Sequence, residues 1–484
     1  MKKTFLLLFA TILIARTYSQ VYSITVQYKP ATGSFLYLGY YFGDKKYVQD
    51  SAVIDNDGTA IFKGEKPLVG GLYILVDEKK QRFFDLLIDK EQHIELSIDT
   101  SDFSLKSVKG SSDNNYLDAY KKATSDFFRN YNQWQNDLKS AKTKTDSIAI
   151  EKKMNLAAER SQHWRDSFTL VHPDSYLALL FRLMKEPVYT VGGKKTKQDT
   201  LNAYINYKKQ YWQDITLSDE RLLRTPMFEQ RLTRYFENVV IRHPDSIKYE
   251  TDKFILYSRS NTTMFRYFIN RFTNEYMNPK YMGMDVVFLH LFEKYYLTNQ
   301  VTWLEPKDKD LVFNRAYSLM GNVLGEPAAE LNMLDTLDKK VNLYSIKAPY
   351  TLVVFWDPDC GHCKETVPVI DSMYKNFWQK TGMQLVGVLV DTVRTAKNKL
   401  PEVKKHWMEF IHEKNLLGWN HWYQAFEARE EEKRNNLPGF RQNYDVYQTP
   451  TIYLLDKDKR IVAKKISPEQ INDFLKHQQT KNNP

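Results

Sequence analysis

Downstream of position 20, apolar side chains alternate with polar ones in short runs at 23–28, 35–40, 52–54, 60–63, 72–76, 83–88 and 93–98. A two-residue period sends successive side chains to opposite faces, so these runs predict β-strands with one face buried. Turn-forming residues separate them: Asp55-Asn56-Asp57-Gly58 is a hairpin signal, and Gly70-Gly71 and Asp89-Lys90-Glu91 punctuate later runs. Roughly seven strands at this spacing predict an antiparallel β-sandwich over residues 20–110. After Gly110 the period changes. Apolar positions recur at three- and four-residue steps over 116–141, 145–171, 175–185, 200–212, 227–241 and 285–297, which predicts a middle all-α domain over 111–322. The tetrapeptide His-Pro-Asp-Ser occurs at 172–175 and again at 243–246, each time between two helical stretches. Pro and Asp or Ser are first-turn residues, so both copies read as helix connections; neither His172 nor His243 has a second metal ligand at helical spacing. Over 323–484 the two periods mix, with strands expected at 331–334, 341–343, 350–356, 383–391, 451–455 and 460–464 and helices at 361–377, 403–413 and 468–476. The charged run 427–434 reads as a solvated helix. The chain is thus expected to be multidomain, with an α/β domain at its C-terminal end.

The first residues change the picture of where such a chain works. Met1-Lys2-Lys3 followed by an apolar run from Phe5 to Ala15 is a basic segment ahead of a stretch too short to span a bilayer, and Thr17 and Ser19 offer small residues for cleavage before Gln20. Residues 1–19 are therefore expected to be a signal peptide, and the mature chain to lie in the periplasm or cell envelope. No Cys follows the apolar run, which excludes a lipid anchor on Cys, and no other stretch is long and apolar enough for a transmembrane anchor. The formal charge is +10, of which Lys2, Lys3 and Arg16 contribute three, leaving about +7 with acidic residues interleaved throughout. Without a basic block, a glycine-rich phosphate loop or zinc-finger spacing, nucleic acid is not an expected partner.

The chain has two cysteines, and both fall in Trp356-Asp-Pro-Asp-Cys360-Gly-His-Cys363. An exported chain commonly uses cysteines as structural staples, and this one has none to spare for that. The preceding run 350–356 is β-branched and aromatic, as in a buried parallel strand, and Asp357-Pro358 ends it. Val367, Ile370, Tyr374 and Phe377 then follow at helical steps, so the two thiols open a helix directly after a strand. Free N–H groups and the positive helix end at that place favour an anion, and the thiolate is the nucleophile of disulfide exchange. Cys360 is the expected attacker. Cys363, one turn deeper, is the expected buried resolver, and the pair would form a redox-active disulfide with no other cofactor and no metal. A single Cys-x-x-Cys supplies only two of the ligands a zinc site needs.

Strand, Cys-Gly-His-Cys, helix and a helix proline at Pro368, together with Tyr447-Gln-Thr449-Pro450-Thr-Ile-Tyr, resemble the thioredoxin superfamily. The stretch from Gly325 onward looks like the exported thiol:disulfide oxidoreductases of the TlpA and ResA type. Gly43-Asp44-Lys45, Asp50-Ser51 and Gly71-Leu72-Tyr73 resemble the small β-rich module found ahead of such domains. Residues 219–226 resemble the helical domain of unknown function in the same three-part proteins. The resemblance implies a C-terminal thioredoxin fold, a cis Pro450 beside the cysteines, and substrate contacts from Thr449, Pro450 and Trp356. His362, Gly361 and Asp359 are expected to tune the potential: an imidazole and a helix N-terminus stabilise the thiolate, and a carboxylate opposes them. Where the superfamily carries a buried acid beneath the thiols the chain has Val354, and where some ResA-like proteins carry one after the second Cys it has Thr366. The implied activity is disulfide exchange with protein thiols and disulfides of the envelope, fed by an unidentified upstream electron donor or acceptor, as reductase or isomerase. The other reading is a partner-binding protein with a redox-inert thioredoxin-like scaffold. A peroxidase of the peroxiredoxin type is disfavoured, because Asp357 stands three residues before Cys360, where that family needs Thr or Ser.

Overall fold

The computed structural model describes residues 21–28, 32–80, 83–99, 104–190, 192, 196–391 and 399–482, so the expected leader at 1–19 lies outside the described residues. Packing divides the chain into two compact units. The first runs to Ile241 and adds Phe254–Phe265, and the second takes Arg242–Lys253 and everything from Arg266.

The first unit begins with β1 (Tyr22–Gln27), β2 (Phe35–Phe42), β3 (Lys45–Val53), β4 (Thr59–Gly64), β5 (Gly71–Asp77), β6 (Phe83–Ile88), β7 (His93–Ile98) and β8 (Leu105–Lys109). They form two four-stranded sheets, ordered β4-β1-β7-β8 and β3-β2-β5-β6. Ile24, Val26, Leu38, Phe62, Tyr73, Leu75 and Leu96 fill the core they enclose. Two features differ from the expectation. The sandwich is mixed rather than purely antiparallel, because β1 runs parallel to β7 with Ser23 opposite His93. Strands that are not joined by a hairpin have no turn to fix their relative direction. The sheets also hold eight strands instead of about seven. The additional strand β8 and the first half of β3 are polar stretches at sheet edges, where half-solvated strands lose the apolar alternation.

Helices then take over. Ser112–Ala123, Ser125–Ser140, Lys144–Val171, Tyr176–Met184, Lys197–Gln210 and Pro226–Arg234 complete most of the first unit. The stretch expected as one helix over 116–141 breaks at Thr124, whose hydroxyl donates to the Tyr120 carbonyl at 2.6 Å. Ser175, the last residue of the first His-Pro-Asp-Ser, caps Tyr176–Met184 by accepting the Ala178 N–H, and Pro244 opens the helix Pro244–Ser258. Both tetrapeptides are helix connections.

In the second unit, Asp285–Leu291 and Pro306–Met320 precede a seven-stranded sheet of order β10-β9-β13-β12-β11-β14-β15. Its strands are β9 (Asn332–Asp335), β10 (Lys340–Asn342), β11 (Tyr350–Trp356), β12 (Gln384–Leu389), β13 (Asn420–Tyr423), β14 (Thr451–Asp456) and β15 (Ile461–Lys464). β11 lies between parallel β12 and antiparallel β14, so both its edges are paired. Leu352, Val354 and Trp356 enter one apolar layer with Val367, Ile370 and Leu475, while Val353 and Phe355 enter the opposite layer with Val388, Tyr444 and Tyr453. This is the α/β arrangement expected at the C-terminal end. β13 was not expected: it is four residues long and includes a His.

The outer side of β15 is capped. The Lys464 N–H meets the Met282 sulfur at 3.2 Å, and Gly325 and Glu326 exchange backbone hydrogen bonds with Ile461 at 2.8 and 2.9 Å. Next to it the Lys464 ammonium, only 6% exposed, is held by the Asp285 carboxylate and by the Asn322 carbonyl and side-chain oxygens at 2.5 and 2.8 Å. Residues 266–322, which the sequence texture assigns to a separate helical domain, therefore pack in one unit with the sheet.

Candidate active site

β11 ends at Trp356 and its continuation turns at once. Asp357 Oδ1 accepts the Asp359 N–H at 2.8 Å, and the Cys360 N–H donates to the Asp357 carbonyl at 3.2 Å. This short turn delivers Cys360 to the N-cap of the helix Gly361–Met373, with φ −75° and ψ 124°. The N–H groups of His362 and Cys363 lie in the first turn of that helix, whose positive end favours a thiolate at Cys360. Cys360 is partly exposed, and Cys363 is 0% exposed among Val354, Trp356 and Val367. Both are free thiols.

Their environments push the two thiols apart. Burial raises Cys360, but hydrogen bonds from the Thr449 side chain, from the backbone and thiol of Cys363 and from the His362 N–H outweigh it, so Cys360 lies below its ordinary value. Burial dominates at Cys363 and pushes it up to about 12. Val354, standing where a buried acid would be, is 0% exposed and contributes to that apolar surrounding.

The second motif closes the site. The Thr449–Pro450 peptide is cis, and the Cys360 thiol donates to the Thr449 carbonyl at 3.3 Å. Pro450 also lines a cleft of about 460 Å³ with Thr366, Val369, Ile452 and Ile466. Four of the expected residues thus stand together: Cys360, Cys363, Thr449 and Pro450. His362 is exposed, and what it brings to Cys360 is its backbone N–H. A Cβ at Gly361 would meet no atom within 4 Å, so this position leaves open space over the turn. Asp359 is exposed, and its charge acts on Asp357. Trp356 is a correction. It is 0% exposed and packs on Phe410, with ring centroids 5.2 Å apart, so it underlies the thiols and touches no substrate. Alternation along a strand buried on both faces leaves no exposed position there.

Sequence reading missed the charges beside this turn. Asp391, at the C-terminal end of β12, is 5% exposed and accepts Arg429 through both oxygens, at 2.8 and 2.7 Å. Arg429 sits in Phe426–Arg434, the run expected to be merely solvated; its fellow residues are charged in the same way, and nothing local distinguishes the one that turns inward. Burial raises the Asp357 carboxyl, with the Asp359 and Asp391 charges adding to the rise and the Asp359 N–H and Arg441 opposing it. Burial in turn lowers the Arg441 guanidinium, against the attraction of Asp391 and Asp357. Among the described residues no group of three or more His, Cys, Asp or Glu side chains is placed to hold a metal ion, and no helix is long and apolar enough to cross a membrane.

Comparison with known proteins places two stretches. Residues 324–464 match the AhpC/TSA family, and residues 22–117 match a domain of unknown function, DUF4369. Over 155 residues the chain is 23% identical to thiol-disulfide oxidoreductase ResA of Bacillus cereus, covering 31% of this chain and 76% of that protein. Among solved structures, a domain of a possible thiol-disulfide isomerase from Cytophaga hutchinsonii is 31% identical, over 33% of this chain and 95% of that one, with a TM-score of 0.27. A thioredoxin-like protein from Bacteroides caccae is 19% identical, over 60% of this chain and 99% of that one, with a TM-score of 0.44.

Proposed function

We infer that this multidomain thioredoxin-like protein is an exported thiol:disulfide oxidoreductase of the cell envelope, exchanging disulfides with other proteins through Cys360 and Cys363. One observation carries the reading: of two adjacent thiols, Cys360 stands partly exposed at a helix N-cap, where its thiolate is favoured, and Cys363 is 0% exposed, where burial holds its proton. A nucleophile has to be ionised and reachable, and a resolver has to stay silent until the substrate is attached. The Cys360 thiolate attacks one sulfur of a substrate disulfide, forms a mixed disulfide and expels the other sulfur as a thiolate. Cys363 then loses its proton and attacks the Cys360 sulfur, closing the internal disulfide and releasing the second substrate thiol. Two electrons leave the dithiol, and an upstream dithiol of the envelope restores them. Once its own proton leaves, Cys360 no longer donates to the Thr449 carbonyl, which is then free to accept an N–H from an extended substrate segment. Net reduction is favoured over isomerisation because the thioredoxin-like stretch resembles ResA, a thiol-disulfide oxidoreductase. The basic and short apolar start of the chain supports export.

The test is turnover of a protein disulfide with a dithiol reductant, combined with trapping. Cys363→Ser should accumulate mixed disulfides through Cys360, and Cys360→Ser should trap nothing. Equal adduct yields from both variants would remove the assignment of attacker and resolver. Absence of any thiol-dependent turnover would leave a partner-binding protein with a redox-inert module.

A further inference from the structure

We propose that Arg315, on the helix Pro306–Met320, is a positioning residue for the Cys360 thiol, acting through Asp445 and the loop that carries Thr449; this rests on Cys360 being the attacking thiol, as argued above. Asp445 is the centre of the connection. Its side chain is 0% exposed, and a carboxylate so enclosed needs charged partners. Arg315 takes one of its oxygens and Lys465 the other. Its backbone holds φ at +50°, a region that side chains other than glycine rarely adopt, so its partners keep the loop in that shape. Arg315 is itself fixed: it is 11% exposed, and its Nε donates to the Met277 carbonyl at 3.0 Å.

The same helical segment grips the loop at further points. Ser318 Oγ pairs with Tyr447 Oη at 3.1 Å, the Arg315 guanidinium lies 5.7 Å from the Tyr447 ring centre, and Asn322 Nδ2 donates to the Asn443 carbonyl at 3.4 Å. From below, Tyr453 Oη donates to the Tyr444 carbonyl at 2.5 Å. Residues 443, 444, 445 and 447 are thereby pinned, and Thr449, two residues on, faces the Cys360 sulfur. These contacts all lie within the second compact unit. The groups that face the thiol itself are Cys363, His362 and Thr449; Asp357, Asp359, Asp391 and Arg441 form the charged turn beside it. Asp445 and Arg315 are not among them, so any effect of Arg315 on Cys360 has to travel through the loop.

The experiment uses the full chain and reads alkylation of Cys360 by iodoacetamide against pH, resolved by peptide mass spectrometry, beside the melting temperature. Arg315→Met should loosen the loop and draw the Thr449 side chain, which favours the thiolate, away from the Cys360 sulfur, raising the alkylation midpoint and slowing alkylation at neutral pH about threefold, because the reactive fraction is the thiolate. Arg315→Lys, which keeps one charged donor, should restore part of the wild-type profile. Ser318→Ala, a milder change, should shift the midpoint in the same direction by less and serves if Arg315→Met does not fold. An unchanged midpoint in folded Arg315→Met, or in Ser318→Ala should the first not fold, overturns the proposal, as does a downward shift. Alkylation needs no protein disulfide. A chain whose Cys360 profile depends on Arg315 but which turns over no disulfide would sink the function proposed above and leave this inference standing.

Discussion

At Cys360 and Cys363, less than one turn of helix separates a reachable nucleophile from a silent one, and burial makes most of the difference. Cys363 is held up by its apolar surroundings, so alkylation of the folded dithiol should rise through a midpoint below that of an ordinary cysteine for Cys360. Cys363 should stay unmodified until the pH approaches about 12 or the chain unfolds. Peptide-resolved mass spectrometry across about pH 5–10 checks both halves; early labelling of Cys363 would contradict the assignment. His362 acts on Cys360 through its N–H, and proline has none. His362→Pro should therefore raise the Cys360 midpoint and shift the couple toward the reducing side, since a less stabilised thiolate means a less stabilised dithiol. For the wild type we expect a potential between about −270 mV, as in thioredoxin, and about −180 mV, as in protein disulfide isomerase, readable by equilibration with glutathione. A value below that of thioredoxin, or one that His362→Pro leaves unchanged, would show that the N–H does not set the poise.

At the scale of elements, what the sequence made legible was contiguous. β11, the helix that follows it, and the Thr449-Pro450 pair are each specified by residues adjacent in the chain, and all stand where the pattern puts them. What it did not reveal was non-local. Four residues are too few for a period to declare β13, the inward turn of Arg429 depends on Asp391, 38 residues away, and edge strands β3 and β8 carry polar residues because water covers one side of them. Trp356 misled because the resemblance carried a substrate contact to it, whereas the pleat sends it into the core. β13 also carries a titration. His421 is 6% exposed, stacks on Trp419 with ring centroids 5.8 Å apart, and meets the Leu416 carbonyl through Nε2 at 2.8 Å. Burial pushes it down from 6.5 to about 4. A depressed folded value means that the unfolded chain takes up the proton first. The contribution is therefore complete above pH 6.5, falls as the pH drops, and is gone by about pH 4, amounting to about 3 kcal/mol. Denaturant melts of wild type and His421→Gln should diverge by that dependence between those limits, and parallel curves would show that the ring is protonated in the folded chain.

For the molecule as a whole, composition draws a line near residue 322 that packing does not respect. The second compact unit reaches back to Arg266 and takes in Arg242–Lys253, and Arg315, Asp285 and Asn322 each serve residues of the sheet or its loops. Removing one partner of an enclosed ion pair costs about 3–5 kcal/mol, so Asp285→Ala, which strips the carboxylate from Lys464, should lower the unfolding free energy of this unit by an amount in that range. A calorimetric scan that finds the variant unchanged would show that Lys464 makes do with Asn322. The cap on β15 has a different kind of consequence. Met282 and the 325–326 segment occupy the hydrogen-bonding side of the last strand in the sheet, and a fragment beginning at 323 would keep the second cover but lose the first. A bared strand edge recruits strands from other molecules. Such a fragment should self-associate as its concentration rises while the chain from 242 onward stays monodisperse, so the helices ahead of the thiol domain also serve its solubility.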